Sequence, residues 1–258
     1  MRLPAIIEDV ESKCFEVTSC TVDNGNCTLT FREAESRRAH EQGAKAVISE
    51  MEIKAISRRF VRKPEVFSSV REWCKMVDAD KYINVGDQIL IPSLYIPRTS
   101  CEDEDFEEIK LKDVVVTAVH VEKSRVVFNF DDILFQHDID SGCSGKPFDE
   151  TPLGIYLAKH FADALKEFTG DVKVSLLSKE NVFDETSKDF MPYFKPVKNR
   201  IKVLADENDT WYWWLKTPNA SDSSHFCFVS VGGYANLSYY AGGAGGVAPA
   251  FEITAESK

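Results

Sequence analysis

Acidic and histidine side chains that could bind a cation or transfer protons lie close together near the middle of the chain. His137, Asp138 and Asp140 follow Asp131 and Asp132 within ten residues. Carboxylate oxygens suit a hard cation such as Ca²⁺, but the segment lacks the glycine and the terminal glutamate of an EF-hand loop. The sequence also shows no Ser-His-Asp or two-carboxylate arrangement of the kind that catalysis needs. We therefore expect no catalytic residue, no metal site and no cofactor.

Cysteines are the second possible source of chemistry. The seven are Cys14, Cys20, Cys27, Cys74, Cys101, Cys143 and Cys227. None belongs to a C-x-x-C pair, so their spacing fits neither a zinc site nor a thioredoxin-type motif. Because the count is odd, at least one thiol is expected to remain unpaired.

The glycine-rich run from Gly242 to Gly246 could suggest a loop that cradles phosphate. A phosphate-binding loop of that kind continues into Gly-Lys-Ser/Thr and then into a helix. Neither follows in this sequence. We therefore reject a phosphate-binding loop.

Residues 219–246 have an unusual composition. In a chain in which 28% of the residues are charged, Asp222 is the only Asp, Glu, Lys or Arg of this segment, which also lacks Gln, Met and Trp. Tyrosine supplies rigid amphipathic contact area, while Ser, Asn and Gly supply adaptable hydrogen bonding, as in recognition surfaces. The alternative is a glycine-rich loop region over a β-core. The predicted ligand-contacting residues are Asn219, Ser221, Asp222, Ser223, Ser224, His225, Tyr234, Asn236, Ser238, Tyr239 and Tyr240.

Four consecutive aromatic residues, Trp211 to Trp214, precede that segment. On a strand, alternation sends Tyr212 and Trp214 to one face and Trp211 and Trp213 to the other. We expect at least two of the four rings to be buried in a core.

The bulk composition excludes some classes of partner. Lys and Arg number 31 against 42 Asp and Glu, a net charge of −11. This balance argues against nucleic acid as a partner, since phosphate binding needs a clustered positive field. No apolar run approaches the ~18 residues of a membrane helix, so no membrane insertion is expected. The N-terminus has no signal-peptide pattern, and we expect a soluble protein made in a reducing cytoplasm.

The first part of the chain is predicted to be a mostly helical unit over residues 1–78. Residues 14–31 have the pattern of a hairpin around a turn at 23–26. A charged, helix-prone segment with a near-3.6 apolar period follows over 32–61, and Pro64 ends it. A second short helix is predicted over 66–76.

The remainder, residues 79–258, alternates strands and one clear helix, which indicates an α+β fold. Thr151 and Pro152 are suited to the N-cap and first turn of that helix, and Gly170 to its end. The predicted elements are strands over 83–91, 114–121, 126–130 and 172–177, a helix over 151–168, and a β-rich C-terminal block.

Three motifs of this C-terminal block occur in a fixed order. Residues 213–218 are WWLKTP, residues 226–233 are FCFVSVGG and residues 246–251 are GVAPAF. They resemble the WWLRSP-type motif, the aromatic–x–V–x–x–x–G turn and the GVRPAF/L-type motif of an uncharacterised bacterial and phage domain family. Upstream segments are also similar, so the resemblance covers about residues 80–254. This chain departs from the family pattern at Lys216-Thr217 and at Ala248, where the family has Arg-Ser and Arg.

That family is similar to the C-type-lectin-like domains of formylglycine-generating enzymes and of variable proteins made by diversity-generating retroelements. The resemblance implies a C-type-lectin-like fold for residues 79–258. In the retroelement proteins, adenine-directed mutagenesis diversifies exposed positions on a fixed β-scaffold. Randomised Asn codons cannot yield Lys, Glu, Gln, Met or Trp, and the composition of residues 219–246 fits this restriction.

Three hypotheses of function follow. The leading one is a non-catalytic, receptor-binding or adhesion-type protein of phage or bacterial origin, whose partner is a protein or glycan ligand on a cell surface. The second is a formylglycine-generating-type oxidoreductase, which as the resemblance implies needs a pair of reactive cysteines, whereas Cys227 stands alone in the C-terminal block. The third is a structural virion decoration that docks or forms a homo-oligomer through residues 1–78.

Overall fold

The computed structural model describes residues 62–97, 108–205 and 209–255, together with the backbone of four strands in the first sixty residues. The pattern of spatial contacts divides the chain into two units, Met1–Phe60 and Val61–Lys258. The division falls after residue 60, not after residue 78 as the sequence suggested.

The described part of the first unit is a four-stranded antiparallel sheet with the order β1-β2-β3-β4. Its strands are β1 (Ile6–Glu8), β2 (Cys14–Asp23), β3 (Asn26–Ala34) and β4 (Lys45–Ala46). The hairpin predicted over 14–31 is therefore confirmed as β2 and β3.

The helix predicted over 32–61 is wrong where the structure describes it. Arg32 pairs with Glu16 on one side and with Lys45 on the other. Pairing with two neighbouring strands outweighs the weak helix preference of this charged segment. The mostly helical character expected for the first unit is therefore replaced by a sheet in its described part, and the rest of the predicted helix lies outside the described residues.

The second unit is α+β. Its helices are α1 (Val66–Lys75), α2 (Ala79–Tyr82), α3 (Pro152–Tyr156), α4 (Ala162–Thr169) and α5 (Lys179–Phe183). Its strands are β5 (Gln88–Ile96), β6 (Ile109–Glu122), β7 (Arg125–Phe130), β8 (Phe135–His137), β9 (Lys173–Ser175), β10 (Lys202–Val203), β11 (Thr210–Trp211), β12 (Trp213–Asn219), β13 (Asp222–Val229), β14 (Ala235–Tyr240), β15 (Gly245–Val247) and β16 (Ala250–Thr254).

Helix α1 explains why the unit boundary lies earlier than predicted. The helix forms where the sequence indicated it, and its Phe67 ring packs edge-on against Phe128 at 5.4 Å and against Phe251 at 5.7 Å. These partners lie on β7 and β16. Residues 66–75 therefore bury their apolar face in the core of the second unit.

The helix predicted over 151–168 is confirmed. Thr151 Oγ1 accepts a hydrogen bond from Gly154 N at 3.2 Å, and Pro152 occupies the first turn. One π-helical turn, Leu157–Phe161, joins α3 to α4, and Gly170 ends the helix at φ +68°. Only the middle of the predicted strand 172–177 forms a strand, β9.

The strands of the second unit form two five-stranded sheets and a two-stranded antiparallel sheet of β10 and β11. The first has the order β5-β6-β7-β16-β9 and contains the predicted β6–β7 hairpin. The second has the order β14-β13-β12-β15-β8, in which β12 and β15 run parallel and the other pairs run antiparallel. Predicted strand 83–91 begins only at Gln88, because Asp87 accepts a hydrogen bond from Asn84 N at 3.0 Å and forms a turn first.

The second sheet is buried on both faces near its middle. Trp214 and Phe226 belong to the larger apolar core, which they share with the first sheet and the helices. Trp213 and Leu215 belong to a smaller core on the other face. Trp213 and Trp214 are both fully buried, which confirms the prediction that at least two of the four aromatic residues are core.

No helix of the described ranges is long and apolar enough to cross a membrane.

Lys202 on β10 is a buried cation beneath the smaller core. Its ammonium group donates to the carbonyl oxygens of Phe130 and Asp131 and lies 5.1 Å from the centre of the Trp213 ring. Burial lowers the pKa of Lys202 to about 8, and the nearby carboxylates of Asp131 and Asp132 only partly offset that effect. The folded state therefore holds this proton less tightly than the unfolded chain does.

We predict that Lys202 makes stability rise with pH between about 8 and the unfolded value of 10.5. In this window the unfolded chain binds a proton that the folded chain has lost, so the free energy of unfolding rises by about 1.4 kcal/mol per pH unit. Lys202→Met removes this contribution. Urea denaturation should show the unfolding free energy of the wild type increasing relative to that of the variant across the window. A difference that stays constant with pH would contradict the prediction.

Candidate functional site

The hairpin between β12 and β13 is closed by its own polar side chains. Asn219 Oδ1 accepts hydrogen bonds from the backbone N–H and the hydroxyl of Ser221, both at 2.8 Å. Asp222 Oδ1 accepts in the same way from Ser224, at 3.0 and 2.6 Å. The Ser224 hydroxyl lowers the pKa of the Asp222 carboxyl. Hydrogen bonds among four of the predicted contact residues therefore determine the shape of this turn.

His225 lies beside this turn but does not form a catalytic relay. Its Nδ1 is 3.0 Å from Asp222 Oδ2 and 3.1 Å from Ser224 Oγ. A Ser-His-Asp triad needs the serine and the carboxylate on opposite ring nitrogens. Here both approach the same nitrogen, and Ser224 donates its proton to Asp222. This geometry does not activate the hydroxyl as a nucleophile.

The turn between β13 and β14 presents Tyr234. Ser230 N donates to Tyr234 O at 2.9 Å, and Gly233 N donates to Ser230 O at 2.8 Å. Gly233 has φ +77°, the left-handed conformation that glycine adopts without strain. Tyr234 projects from this turn and is 65% exposed.

An aromatic cluster of Tyr212, Trp214, Phe228 and Tyr239 lies on one face of the second sheet. The Tyr239 ring is 5.3 Å from Tyr212, 5.6 Å from Trp214 and 5.7 Å from Phe228. Trp214 is buried at the base, Tyr212 and Phe228 are half-buried, and Tyr239 is 40% exposed. The cluster is a partly open aromatic surface, and only its base belongs to the core.

Two neighbours tie Tyr212 into this surface. Its hydroxyl donates to Ala244 O at 2.6 Å, and the Trp211 ring stacks on it at 5.6 Å. Burial, aided by the Tyr239 hydroxyl, raises the pKa of Tyr212 to about 12. The phenol therefore stays neutral at physiological pH.

The glycine run supports the aromatic rings. A Cβ atom on Gly245 would lie 2.3 Å from Trp214 Nε1, and one on Gly243 would lie 2.4 Å from Tyr239 Cε1. At Gly242 it would meet the Tyr240 ring at 2.7 Å. The run therefore lets the backbone lie directly against three aromatic side chains.

The eleven predicted contact residues do not converge on one pocket. Tyr239 joins the aromatic cluster, whereas Tyr240 lies 6.1 Å from the His225 ring. Tyr234 lies just before the first residue of β14, and Tyr240 is its last residue. At the usual rise per strand residue the two are about 20 Å apart. Strand β13 exposes Ser223, and strand β14 exposes Asn236 and Ser238. The candidate site is thus an extended surface along β13 and β14.

Sequence reasoning missed Tyr212 and Phe228 as site residues. Neither residue is among the eleven predicted contacts, and Phe228 belongs to the motif over residues 226–233. For Tyr212 the sequence does contain a signal, because strand alternation places its side chain on the same face as Trp214. The pairing of Trp214 with Phe228, which completes the cluster, depends on strand register.

Two acidic residues of the possible cation site, Asp140 and Asp131, have different hydrogen-bond partners. Asp140 accepts hydrogen bonds from Gly142 N at 3.1 Å and from Ser144 N at 2.8 Å, and the Ser144 hydroxyl lowers its pKa. Asp131 instead accepts from Gln88 Nε2 at 2.7 Å, and burial raises its pKa. Among the residues with described side chains, no group of three or more His, Cys, Asp or Glu could hold a metal ion.

Comparison with known proteins gives one match. Residues 161–255 match the family model described as Domain of unknown function (DUF6273). The matched segment is a little over a third of the chain and includes the aromatic cluster, β13 and β14. No curated protein and no solved structure matches the chain.

We predict that Gly245→Ala destabilises the protein by about 1–3 kcal/mol, the usual cost of overpacking a core. The new methyl group would displace the Trp214 indole at the base of the cluster. Gly142→Ala is the matched control, since its Cβ would meet only Asp140 Oδ1 at 3.5 Å, an ordinary contact. Urea denaturation measures both. Equal stability of the two variants would show that the close approach at Gly245 does not matter.

Proposed function

We propose that the second unit is a non-catalytic ligand-binding module. Its contact surface would be the aromatic cluster together with the exposed residues of β13 and β14. The observation that carries the proposal is the half-open cluster around Tyr239, which is bordered by a segment whose only Asp, Glu, Lys or Arg is Asp222. An exposed group of large aromatic rings on a monomer is typical of a binding surface.

The exposed tyrosines are suited to act as anchors. Tyr234, Tyr239 and Tyr240 are 65%, 40% and 51% exposed. Tyrosine gives up little side-chain entropy on binding, and a few aromatic anchors usually contribute most of the affinity. Because the surface carries almost no charge, its partner would be recognised by stacking and neutral hydrogen bonds. A protein or glycan ligand on a cell surface fits this chemistry.

We also propose that this unit is C-type-lectin-like and that exposed residues between its first and last motifs, 213–218 and 246–251, are diversified. The motif positions Trp213, Trp214 and Val247 are fully buried, as scaffold positions should be. Between the motifs, the predicted contact residues lie at the surface or partly buried, where changes of side chain are tolerated. Buried motifs around a variable surface would allow diversification without loss of the fold.

The departure at Ala248 is compatible with that scaffold. Ala248 is fully buried, and its carbonyl oxygen accepts a hydrogen bond from Asn129 Nδ2 at 3.0 Å. The same amide group donates to Pro249 O at 2.8 Å. The backbone of the motif is therefore held by a side chain of β7 and not by an arginine of its own.

The oxidoreductase alternative receives no support from Cys227. Its side chain is buried, and burial raises the pKa of the thiol. A reactive cysteine needs an accessible site with a lowered thiol pKa. The proposal therefore remains a binding function.

We predict that Tyr239→Ala weakens ligand binding at least about tenfold, because an aromatic anchor typically contributes more than 1 kcal/mol. The ligand would be found by screening the full chain against glycan arrays and displayed cell-surface proteins. Titration calorimetry would then compare the variants. Tyr95→Ala is the matched control, since Tyr95 is 48% exposed on β5, in the other sheet.

Tyr239→Ala is expected to keep the thermal stability of the wild type to within a few degrees, since the ring is partly exposed. Unchanged affinity for the ligand in Tyr239→Ala would show that the cluster is not the contact surface. Loss of affinity in Tyr95→Ala alone would place the site on the first sheet.

Diversification has its own test in the neighbouring DNA. We predict a reverse-transcriptase gene and a near-copy of the codons for residues 211–253 that differs mainly at adenines. A locus without either would refute diversification and leave the binding proposal intact.

A further inference from the structure

Strand β14 forms one edge of the second sheet. Within the described ranges, only β5 and β14 are sheet-end strands of more than three residues. The outer edge of β5 is protected, because Arg62 N donates to Gln88 O at 2.8 Å and Leu90 N donates to Arg62 O at 2.9 Å. It also contains Pro92, a residue that commonly blocks strand addition.

Among the described residues, β14 lacks the proline and the pair of backbone bonds that protect β5, and a single turn bond, from Gly243 N to Tyr240 O at 2.9 Å, reaches its outer edge. Its six residues include no proline, lysine or other charged residue. An exposed strand edge without such features is a template for pairing with another chain. In a chain of net charge −11, this uncharged edge is also a place where two copies can approach with little repulsion.

The backbone pattern shows which groups of β14 face outward. Ser230 bonds to Tyr234 and Ser224 to Ala241 across the two strands, at 2.9 and 3.0 Å. Antiparallel pairs alternate between bonded and non-bonded positions. The next pairs along the strand, Ala235 with Val229 and Tyr240 with His225, are therefore non-bonded. The N–H and C=O groups of Ala235 and Tyr240 point away from β13.

A bulge makes this edge self-complementary. Cys227 lies opposite both residues 237 and 238, because the register shifts between Phe226 and Phe228. Without the extra residue, positions 235 and 240 would point their backbone groups in opposite directions, since they are an odd number apart. With the extra residue, the backbone groups of Ala235 and Tyr240 both point away from β13. A two-fold axis between residues 237 and 238 then places each Ala235 opposite Tyr240 of the second copy.

We propose that β14 pairs antiparallel with β14 of a second copy of this chain. Ala235 and Tyr240 would exchange main-chain hydrogen bonds across the axis, so that the two sheets become one sheet of ten strands. Each large Tyr240 side chain faces a small Ala235, which suits a symmetric interface. Tyr240 O already accepts from Gly243 N at 2.9 Å, and its second lone pair serves the new bond.

This pairing does not rest on the ligand-binding proposal, because it uses the edge of β14 whereas the aromatic cluster lies on its face. It has a consequence for binding, however. Two aromatic clusters would lie side by side on one continuous sheet. Such a dimer would present two linked sites to a repetitive surface and gain affinity from bivalency.

The test is the mass of the full chain by sedimentation velocity and light scattering over about 1–100 µM, a range that detects micromolar dimers. The wild type is expected to form a dimer of twice 29.1 kDa. Ser238→Lys places two ammonium groups near the axis and should raise the dimer dissociation constant at least about tenfold, because like charges then meet across the interface. Ala220→Lys, on the exposed β12–β13 turn, adds the same charge away from the edge and should leave it unchanged.

Ala235→Pro is the second variant, and it decides the matter if Ser238→Lys fails to fold. It removes one outward N–H and no bond to β13, so it should also give a monomer. A wild type that is monomeric at 100 µM overturns the proposal, and so does a dimer that survives in the folded edge variants. If the chain is monomeric yet binds its ligand through Tyr239, only the pairing inference fails. If it is dimeric but Tyr239→Ala binds normally, only the binding proposal fails.

Discussion

Burial of two consecutive tryptophans on opposite faces of β12 is the constraint on which the second unit depends. Trp213 packs into one core and Trp214 into the other, and neither has any exposed surface. Each indole N–H is also satisfied, Trp213 by Arg200 O at 2.8 Å and Trp214 by His137 O at 3.0 Å. A large ring with a satisfied polar group fixes both the position and the register of the strand. The second sheet is thereby held between two packed layers.

The surface features follow from this anchoring. The fixed Trp214 ring forms the base on which Tyr212, Phe228 and Tyr239 assemble. The backbone at Gly245 must then pass against the indole, which excludes any side chain there. The glycine-rich composition that resembles a flexible or phosphate-binding loop is instead a consequence of close packing. A rigid base of this kind would allow the proposed variation of the residues above it.

Local patterns predicted much of the second unit. The cap at Thr151 and the stop at Gly170 located the long helix, and alternation along residues 211–214 predicted which rings share a face. The first unit was predicted less well. Residues 32–34 have a helix-prone composition, but pairing with β2 decides their conformation, and such pairing is non-local. The cluster partner Phe228 was not predicted for the same reason. The register between β12 and β13 depends on both strands and cannot be deduced from the sequence of either one.

The proposed function requires that ligand contacts the aromatic cluster face of β12, β13 and β14. Hydrogen exchange of the full chain, measured with and without the ligand found by screening, can locate this contact. We predict slower exchange in residues 211–212 and 226–244, with no change in β5 and β6. Protection confined to β5, β6 or the helices, with 226–244 unaffected, would contradict it.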